Sequence, residues 1–377
     1  MNRPPTDEER LLLRAATGQG EEALEAWRDW RARTDFERLG AESVHLVPLL
    51  YRNLSRLGAP PAELKRYASV YRHSWAKNRL AFQAGARAIE RLAAHGIDAL
   101  VLKGAAASTL HYRDDGVRAM EDVDVLVRRA RLEDTLKVLG ESGWEVAPDN
   151  GPRALSAPWL TIRHSAGFRD AKGRSFDLHW YVSADMRIEG ADEAFWAAAV
   201  PMQMAAVETR ALCATDHLYH VIAHAAWSTD PHIRWAADAM AVLRGPGSGP
   251  VDWPRLVGHA MRRRMVLPVR RALRWLQREL GAPVPDAPLA ELDAVRVGRL
   301  AQLELDYAHR LPPRPNAASK IALRLWFAYE RSTAQQGAAL ALGFPAFLAR
   351  YFGVTSPWQV PLPALRRGLE RVRSHGL

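Results

Sequence analysis

The sequence is poor in the residues that build covalent cross-links and in the apolar runs of secretory or membrane-spanning segments. Its 377 residues include one cysteine, Cys213, which excludes an internal disulfide and any zinc site built from cysteines. The first ten residues, MNRPPTDEER, contain no apolar run typical of a secretory signal. A late apolar stretch, residues 338–348, is interrupted by Gly343 and Pro345 and is too short to cross a bilayer. These absences predict a cytoplasmic protein with no membrane partner.

Lysine is also scarce, although the chain is basic. The formal net charge is +10, from 52 lysines and arginines against 42 acidic residues, yet only six of the basic residues are lysines. A basic surface attracts acidic ligands or nucleic acid, but coding composition also produces an arginine bias of this kind. Charge alone therefore assigns no nucleic-acid partner. The length is sufficient for two or more domains, each with its own core, and 48% hydrophobic residues are typical of a globular protein.

A predicted strand, turn and helix between residues 97 and 112 have the arrangement of an anion-binding site. Residues 97–102 (IDALVL) form an apolar run rich in β-formers, and small residues follow it. Free N–H groups and the helix dipole at such a turn favour a bound anion. The candidate phosphate-binding residues are Lys103, Gly104, Ala105 and Ser108. This is not a P-loop, because lysine precedes the glycine and the chain contains no Gly-Lys-Ser/Thr.

The next predicted strand carries two acids. Residues 121–127 (EDVDVLV) alternate acidic and apolar side chains, so Asp122 and Asp124 share one face of a strand. Two neighbouring carboxylates repel each other unless a cation lies between them. Magnesium suits this position, because it prefers oxygen ligands and bridges carboxylates to phosphates. The alternative is a solvated strand end with two unrelated acids.

These motifs resemble the core of the DNA polymerase β-type nucleotidyltransferase superfamily, in which a Gly-Ser or Gly-Gly turn precedes an acid–hydrophobic–acid strand. More narrowly, L-K-G…R…D-V-D-V-L-V is similar to a branch of uncharacterised bacterial nucleotidyltransferase-like proteins, many encoded in peptide or polysaccharide biosynthesis clusters. Lys103-Gly104 stands where the wider superfamily has Gly-Ser, and Arg118 matches an arginine of the narrower branch. The resemblance implies a Mg²⁺ or Mn²⁺ cofactor, a nucleoside triphosphate substrate and a nucleotide-binding role for Arg118.

The superfamily has a third acid on a later strand. Its match here is Asp177, within residues 174–180 (RSFDLHW), and the D-h-H-W pattern of the narrower branch extends the resemblance to His179. Alternation places Asp177 and His179 on one face of that strand. We predict Asp122, Asp124 and Asp177 as catalytic residues and metal ligands, and His179 as a nucleotide-binding residue. The alternative for Asp177 is an exposed hairpin acid.

The remainder of the chain is predicted to be mostly helical. Residues 1–95 form an N-terminal helical region that begins with a capping sequence at Thr6, residues 96–190 form the nucleotidyltransferase core, and residues 191–377 form a C-terminal helical domain. The fold class is therefore α+β, with a small mixed β-sheet embedded between two helical parts.

The C-terminal part contains two groups of polar residues at helical spacing. His217, His220 and His224 lie on one helix face, where they either bind a metal or pack against the core. Arg234 and Asp238 match a motif of the narrower branch and are spaced for an i, i+4 ion pair.

The leading functional hypothesis is metal-dependent transfer of a nucleoside monophosphate from a nucleoside triphosphate to an acceptor, with a peptide, protein or small metabolite favoured over RNA. One alternative is an RNA- or tRNA-directed nucleotidyltransferase. Another is a non-catalytic nucleotide-binding scaffold, suggested by Lys-Gly in place of Gly-Ser. A third is a helical nucleic-acid-binding protein that uses the arginines of residues 262–278.

Overall fold

The chain begins with a series of helices. The computed structural model describes residues 5–148, 155–156, 160, 163–227, 233–245, 249–299, 301–303, 305, 325–333, 335 and 337–361. The Thr6 hydroxyl accepts the Glu9 N–H at 3.2 Å and the Glu9 carboxylate accepts the Thr6 N–H at 2.8 Å, which confirms the predicted capping start. The helices of this part are α1 (Asp7–Thr17), α2 (Gly20–Arg33), α3 (Ala41–Val44), α4 (Val47–Arg56) and α5 (Pro61–Ala93).

One seven-stranded mixed sheet follows, in the spatial order β3-β4-β5-β2-β1-β7-β6. Strand β1 pairs antiparallel with β2 and parallel with β7, while β2 pairs parallel with β5. The strands are β1 (Ala99–Leu102), β2 (Asp124–Val127), β3 (Trp144–Val146), β4 (Ser165–Asp170), β5 (Ser175–His179), β6 (Val200–Met204) and β7 (Val207–Ala211).

Further helices connect and cover these strands. A π-helical segment, residues 107–112, continues α6 and leads towards β2. The remaining helices are α6 (Lys103–Ala106), α7 (Leu132–Glu141), α8 (Glu193–Ala197), α9 (Ala214–Trp227), α10 (Arg234–Arg244), α11 (Trp253–Arg262), α12 (Val266–Leu280), α13 (Asp286–Ala294) and α14 (Gly337–Phe352). Among the described residues, none of these helices has both the length and the hydrophobicity needed to cross a membrane.

The two faces of the sheet belong to different hydrophobic cores. Leu100 and Leu126 pack with helices from both ends of the chain, whereas Val101 and Val125 pack with α5 and α7 on the other face. This division follows from the alternation of side chains along a strand. Each of these four side chains is fully buried, and burial of one stabilises the fold by about 1.5–3 kcal/mol. Asp124 shares the face of Leu126, so the helices from both ends of the chain cover it.

The fold class is confirmed, and two local predictions are corrected. Strand β2 begins only at Asp124, so Asp122 precedes the strand instead of lying within it. The predicted C-terminal helical domain, residues 191–377, is not helical throughout, because residues 200–211 form the hairpin of β6 and β7. The sequence did not predict this hairpin, because Pro201 lies within β6 and proline argues against a strand. The division of the chain at residues 95 and 190 stays a prediction.

Candidate active site

Strand pairing brings the acids of two separate segments together. Asp124 and Asp177 are register partners on the parallel strands β2 and β5, and the Asp177 N–H donates to the Val123 carbonyl at 2.9 Å. His179 lies two residues further along β5 and therefore shares a face with Asp177. Ligand atoms of Asp124, Asp177 and His179 all lie within 4.8 Å of one another. The predicted convergence of Asp124 with Asp177 is therefore present.

Asp124 is the centre of this group. Its Oδ1 accepts a hydrogen bond from the Lys103 Nζ at 2.5 Å and lies 2.9 Å from the His179 Nε2. Burial favours the neutral acid, but Lys103 and His179 outweigh it and hold the pKa of Asp124 well below its usual range. Asp124 is therefore a carboxylate with a positive neighbour already in place.

Lys103 owes its position to the turn after β1. It has a left-handed backbone conformation, with φ of 46°, which is uncommon for a residue with a side chain. This conformation ends the strand and begins α6 within one residue. Burial opposes the charged form of Lys103, but Asp124, Asp177 and Asp122 outweigh that effect and raise its pKa. The lysine is thus held as a cation among three carboxylates.

The other predicted phosphate-binding residues differ in their access to solvent. Gly104 lines a cleft that is open to solvent. A Cβ at this position would lie 2.7 Å from the Met120 sulfur, so the turn leaves little room for a side chain. Ala105 and Ser108 are buried below the turn. The Ser108 hydroxyl has no hydrogen-bond partner among the described residues. Their predicted roles in nucleotide binding therefore stay predictions.

Asp122 lines the same cleft, outside the three-residue group. Burial, followed by repulsion from Asp124 and Asp177, raises the pKa of Asp122 to about 7. The sequence predicted Asp122 and Asp124 as neighbours on one strand face. The structure instead places Asp177 and His179 in direct proximity to Asp124, because β2 begins after Asp122.

Arg118 lies on the loop that leads into β2. The loop is fixed by Asn78 of α5, whose amide donates to the Asp115 carbonyl at 2.6 Å and the Arg118 carbonyl at 2.8 Å. The guanidinium of Arg118 binds the Asp238 carboxylate at 3.0 Å, and the Tyr112 hydroxyl donates to the same carboxylate at 3.0 Å. Asp238 outweighs the effect of burial and raises the pKa of Arg118. Asp238 thus pairs with Arg118 across the cleft, a partner that the i, i+4 spacing did not predict.

A cleft of about 370 Å³ connects these residues to solvent. Its walls come from the turn after β1, the loop before β2, and helices α3, α9 and α10. Residues that carry its polar surface are Glu42, His45, Lys103, Arg118, Glu121, Asp122, Asp124, His220, His224, Arg234 and Asp238.

Four residues of this wall, His220, His224, Arg234 and Asp238, were identified in the sequence without being assigned to the site. His220 is 1% exposed, and both of its ring nitrogens lack hydrogen-bond partners among the described residues. Burial, with Lys103 and His179 nearby, lowers the pKa of His220 to about 3. Arg234 donates to the Ala119 carbonyl at 3.0 Å. Helical spacing identified the face on which these residues lie, but it carried no information that this face would cover β2.

The donor set of Asp124, Asp177 and His179 fits a divalent metal ion. Two carboxylates and one imidazole suit Mn²⁺ or Zn²⁺, whereas Mg²⁺ prefers oxygen ligands alone. The Nδ1 atom of His179 is buried without a hydrogen-bond partner among the described residues, which is unusual for a satisfied core histidine. The ligand atoms of these three residues are close enough together to bind one metal ion, and Asp122 lines the cleft beside them.

A comparison with protein-family models matches residues 40–281, well over half of the chain, to a family described as an uncharacterised nucleotidyltransferase. The matched segment contains every candidate site residue named above. A comparison with curated proteins found no match. On this match, and in agreement with the mixed sheet and its acid-lined cleft, the chain belongs to this family of uncharacterised nucleotidyltransferases.

Proposed function

We propose that the protein catalyses metal-dependent transfer of a nucleoside monophosphate from a nucleoside triphosphate to an acceptor. The observation that carries this proposal is the meeting of Asp124, Asp177 and His179 beside the Lys103 turn, where Asp124 lines an open cleft. The family match supports this reaction class, and these residues supply the groups that such a reaction needs.

Basic groups of the cleft would bind the triphosphate. Lys103 and the N–H groups at the start of α6 contact the β- and γ-phosphates in this proposal. Arg118 is held in place by Asp238 and offsets charge on the reacting phosphate. Arg234 adds a second guanidinium beside Arg118, and its Nε lies 3.9 Å from the Glu42 carboxylate without a hydrogen bond.

Asp124, Asp177 and His179 would hold the metal, with Asp122 available to a second ion. A bound divalent metal neutralises charge on the phosphate oxygens and orients them for in-line attack. The acceptor oxygen attacks the α-phosphorus, pyrophosphate leaves, and the proton of the acceptor passes to a carboxylate. Asp177 is suited to accept this proton, because it is half-buried at the edge of the group.

The acceptor is proposed to be a peptide, a protein side chain or a small metabolite. The alternative, an RNA or tRNA end, predicts a different salt response, because binding of a polyanion weakens steeply as salt rises. Turnover with a small neutral acceptor changes much less over the same range. Measuring KM for the acceptor at two salt concentrations distinguishes the two.

A specific contact favours a second candidate, a non-catalytic nucleotide-binding scaffold. The Lys103 Nζ lies 2.5 Å from Asp124 and thus occupies one position that a metal ion would otherwise take. A lysine that replaces the metal would leave a folded, nucleotide-binding cleft without transfer activity. This candidate predicts nucleotide binding that does not require a divalent metal.

The deciding experiment combines labelled nucleotide transfer with a binding measurement. The protein is incubated with α-labelled nucleoside triphosphates, Mg²⁺ or Mn²⁺ and pooled acceptors, beside the variants Asp124→Asn and Asp177→Asn. Asp134→Asn, an exposed acid on α7, is the control. Transfer that is lost in both site variants and retained in the control supports the enzyme. Metal-independent binding without transfer would support the scaffold, and full transfer by Asp124→Asn would exclude the proposed site.

A further inference from the structure

A second cavity lies beyond the carboxyl-terminal ends of the parallel strands β2 and β5, and none of its lining residues lines the nucleotide cleft. It has a volume of about 510 Å³, within the range of small-molecule sites. Arg129 follows the end of β2, and Tyr181 follows the end of β5, so both lie past the strands that carry the candidate metal group. Arg129, Tyr181 and Arg187 line one part of the cavity, and Phe347 and Arg350 of α14 line another. The cavity is therefore separate from the nucleotide cleft.

Arg187 is the unusual feature of this cavity. It is 7% exposed, and its Nη1 and Nη2 donate to the carbonyls of Ala184 at 2.8 Å and Ala328 at 2.6 Å. Its Nε has no hydrogen-bond partner among the described residues. No carboxylate of those residues forms an ion pair with Arg187, and the nearby Asp185 pairs with Arg263 instead. Burial, and then the nearby Arg331, lower the pKa of Arg187 to about 10. Asp185 acts on this guanidinium electrostatically without forming an ion pair with it. A buried guanidinium without a carboxylate of its own is energetically costly, and a bound anion would offset this cost.

The charges around Arg187 are arranged to favour an anion at the centre of the cavity. Arg129 and Arg350 add two guanidinium groups. Glu133 and Glu189 also line the cavity, but both are exposed, so water and salt screen their charges more than those of the buried arginine. Phe347 is buried and supplies an apolar surface for the uncharged part of a ligand.

We propose that this cavity binds a small-molecule oxyanion, a phosphate ester or a carboxylate, whose charged group is held by Arg187 and Arg350. The planar fork of arginine donors matches the oxygens of both groups. A purely structural role for Arg187 is the competing explanation, because its backbone N–H donates to the Arg331 carbonyl at 3.1 Å and its side chain also joins the two segments. Arg350 is exposed, so replacing it tests ligand binding without removing that link.

The test is isothermal titration calorimetry of the full chain with inorganic phosphate and, separately, with acetate, in the presence of EDTA. The proposal predicts that Arg350→Gln and Arg187→Met each weaken binding by about tenfold or more, because each removes a charge-assisted hydrogen bond. Arg187→Lys, which keeps the positive charge, should recover part of the loss. Tighter phosphate binding would identify a phosphate ester, and acetate binding at least as tight would identify a carboxylate.

Two matched variants control for other sites. Arg128→Gln removes the neighbouring arginine, which pairs with Glu193 outside the cavity, and Lys103→Met alters the nucleotide cleft. Both should bind phosphate at the second cavity as the unmodified protein does. If Arg187→Met fails to fold, Arg350→Gln decides the question alone. The proposal is wrong if the unmodified chain binds neither anion at millimolar concentration, or if Arg350→Gln binds as tightly as the unmodified chain.

Discussion

Replacing Lys103 by methionine tests the electrostatic balance of the candidate active site. The Lys103 side chain is 22% exposed and that of Asp124 is 7% exposed, and the two charged atoms are 2.5 Å apart. Removing one partner of a buried ion pair costs about 3–5 kcal/mol, because the other charge stays buried without compensation. His179 remains hydrogen-bonded to Asp124, so we expect a loss near the lower limit, about 3 kcal/mol.

The assay is urea unfolding in EDTA, with the double variant Lys103→Met/Asp124→Asn included. Removing the charge of Asp124 relieves the penalty, so the double variant should be more stable than the sum of the two single effects predicts, by about 1–3 kcal/mol. Lys77→Met is the control, because Lys77 makes an exposed pair with Glu121 at 3.9 Å that contributes less than about 1 kcal/mol.

Divalent metal should distinguish Lys103 from an ordinary structural lysine. If the ammonium occupies part of the metal position, Mn²⁺ should stabilise Lys103→Met more than the unmodified protein, because an ion replaces the lost charge. This account of the site would be refuted if the effects of Lys103→Met and Asp124→Asn on the free energy of unfolding were additive and Mn²⁺ stabilised Lys103→Met and the unmodified protein equally.

Three further predictions concern packing, pH and metal preference. Gly116→Ala should destabilise the fold by about 1–3 kcal/mol, because the new Cβ would lie 2.5 Å from the Tyr71 ring. Gly140→Ala, where nothing in the described part of the chain crowds the added Cβ, should not destabilise the fold. The urea unfolding midpoints of both variants measure these effects. Burial lowers the pKa of His111 to about 4, so the unfolded chain binds the proton more readily and stability is lost as pH falls below about 6.5. Between pH 7 and 5 the free energy of unfolding should fall by about 2 kcal/mol more in the unmodified protein than in His111→Phe. The same pH dependence of stability in both proteins would contradict this assignment. His179→Asp should shift metal preference from Mn²⁺ towards Mg²⁺ in calorimetric titrations, and an unchanged preference would remove His179 from the ligand set.

The sequence predicted the members of the site better than their arrangement. The order of strand, turn, helix and acids identified Lys103 and Asp124, because alternation on short strands is a local property, whereas Asp177 was identified by the resemblance. The parallel pairing that places Asp177 opposite Asp124 is non-local and was not predicted; the resemblance implied only that the two acids would meet. Helix periodicity identified the faces of α9 and α10 but not the surface that they cover, so His220 and Arg234 remained outside the predicted site.

The charge of the cleft gives a physical reason why a triphosphate would need a metal here. Among the described residues that line the cleft, five acidic side chains face three basic ones, and each of the three basic groups already forms an ion pair with a carboxylate. The net charge of +10 therefore does not extend to this surface. A triphosphate entering alone would meet repulsion from Asp122, Asp124 and Asp177, whereas a triphosphate that carries divalent cations would not. The same acidity disfavours a nucleic-acid strand lying directly in the cleft, which agrees with a small or peptidic acceptor.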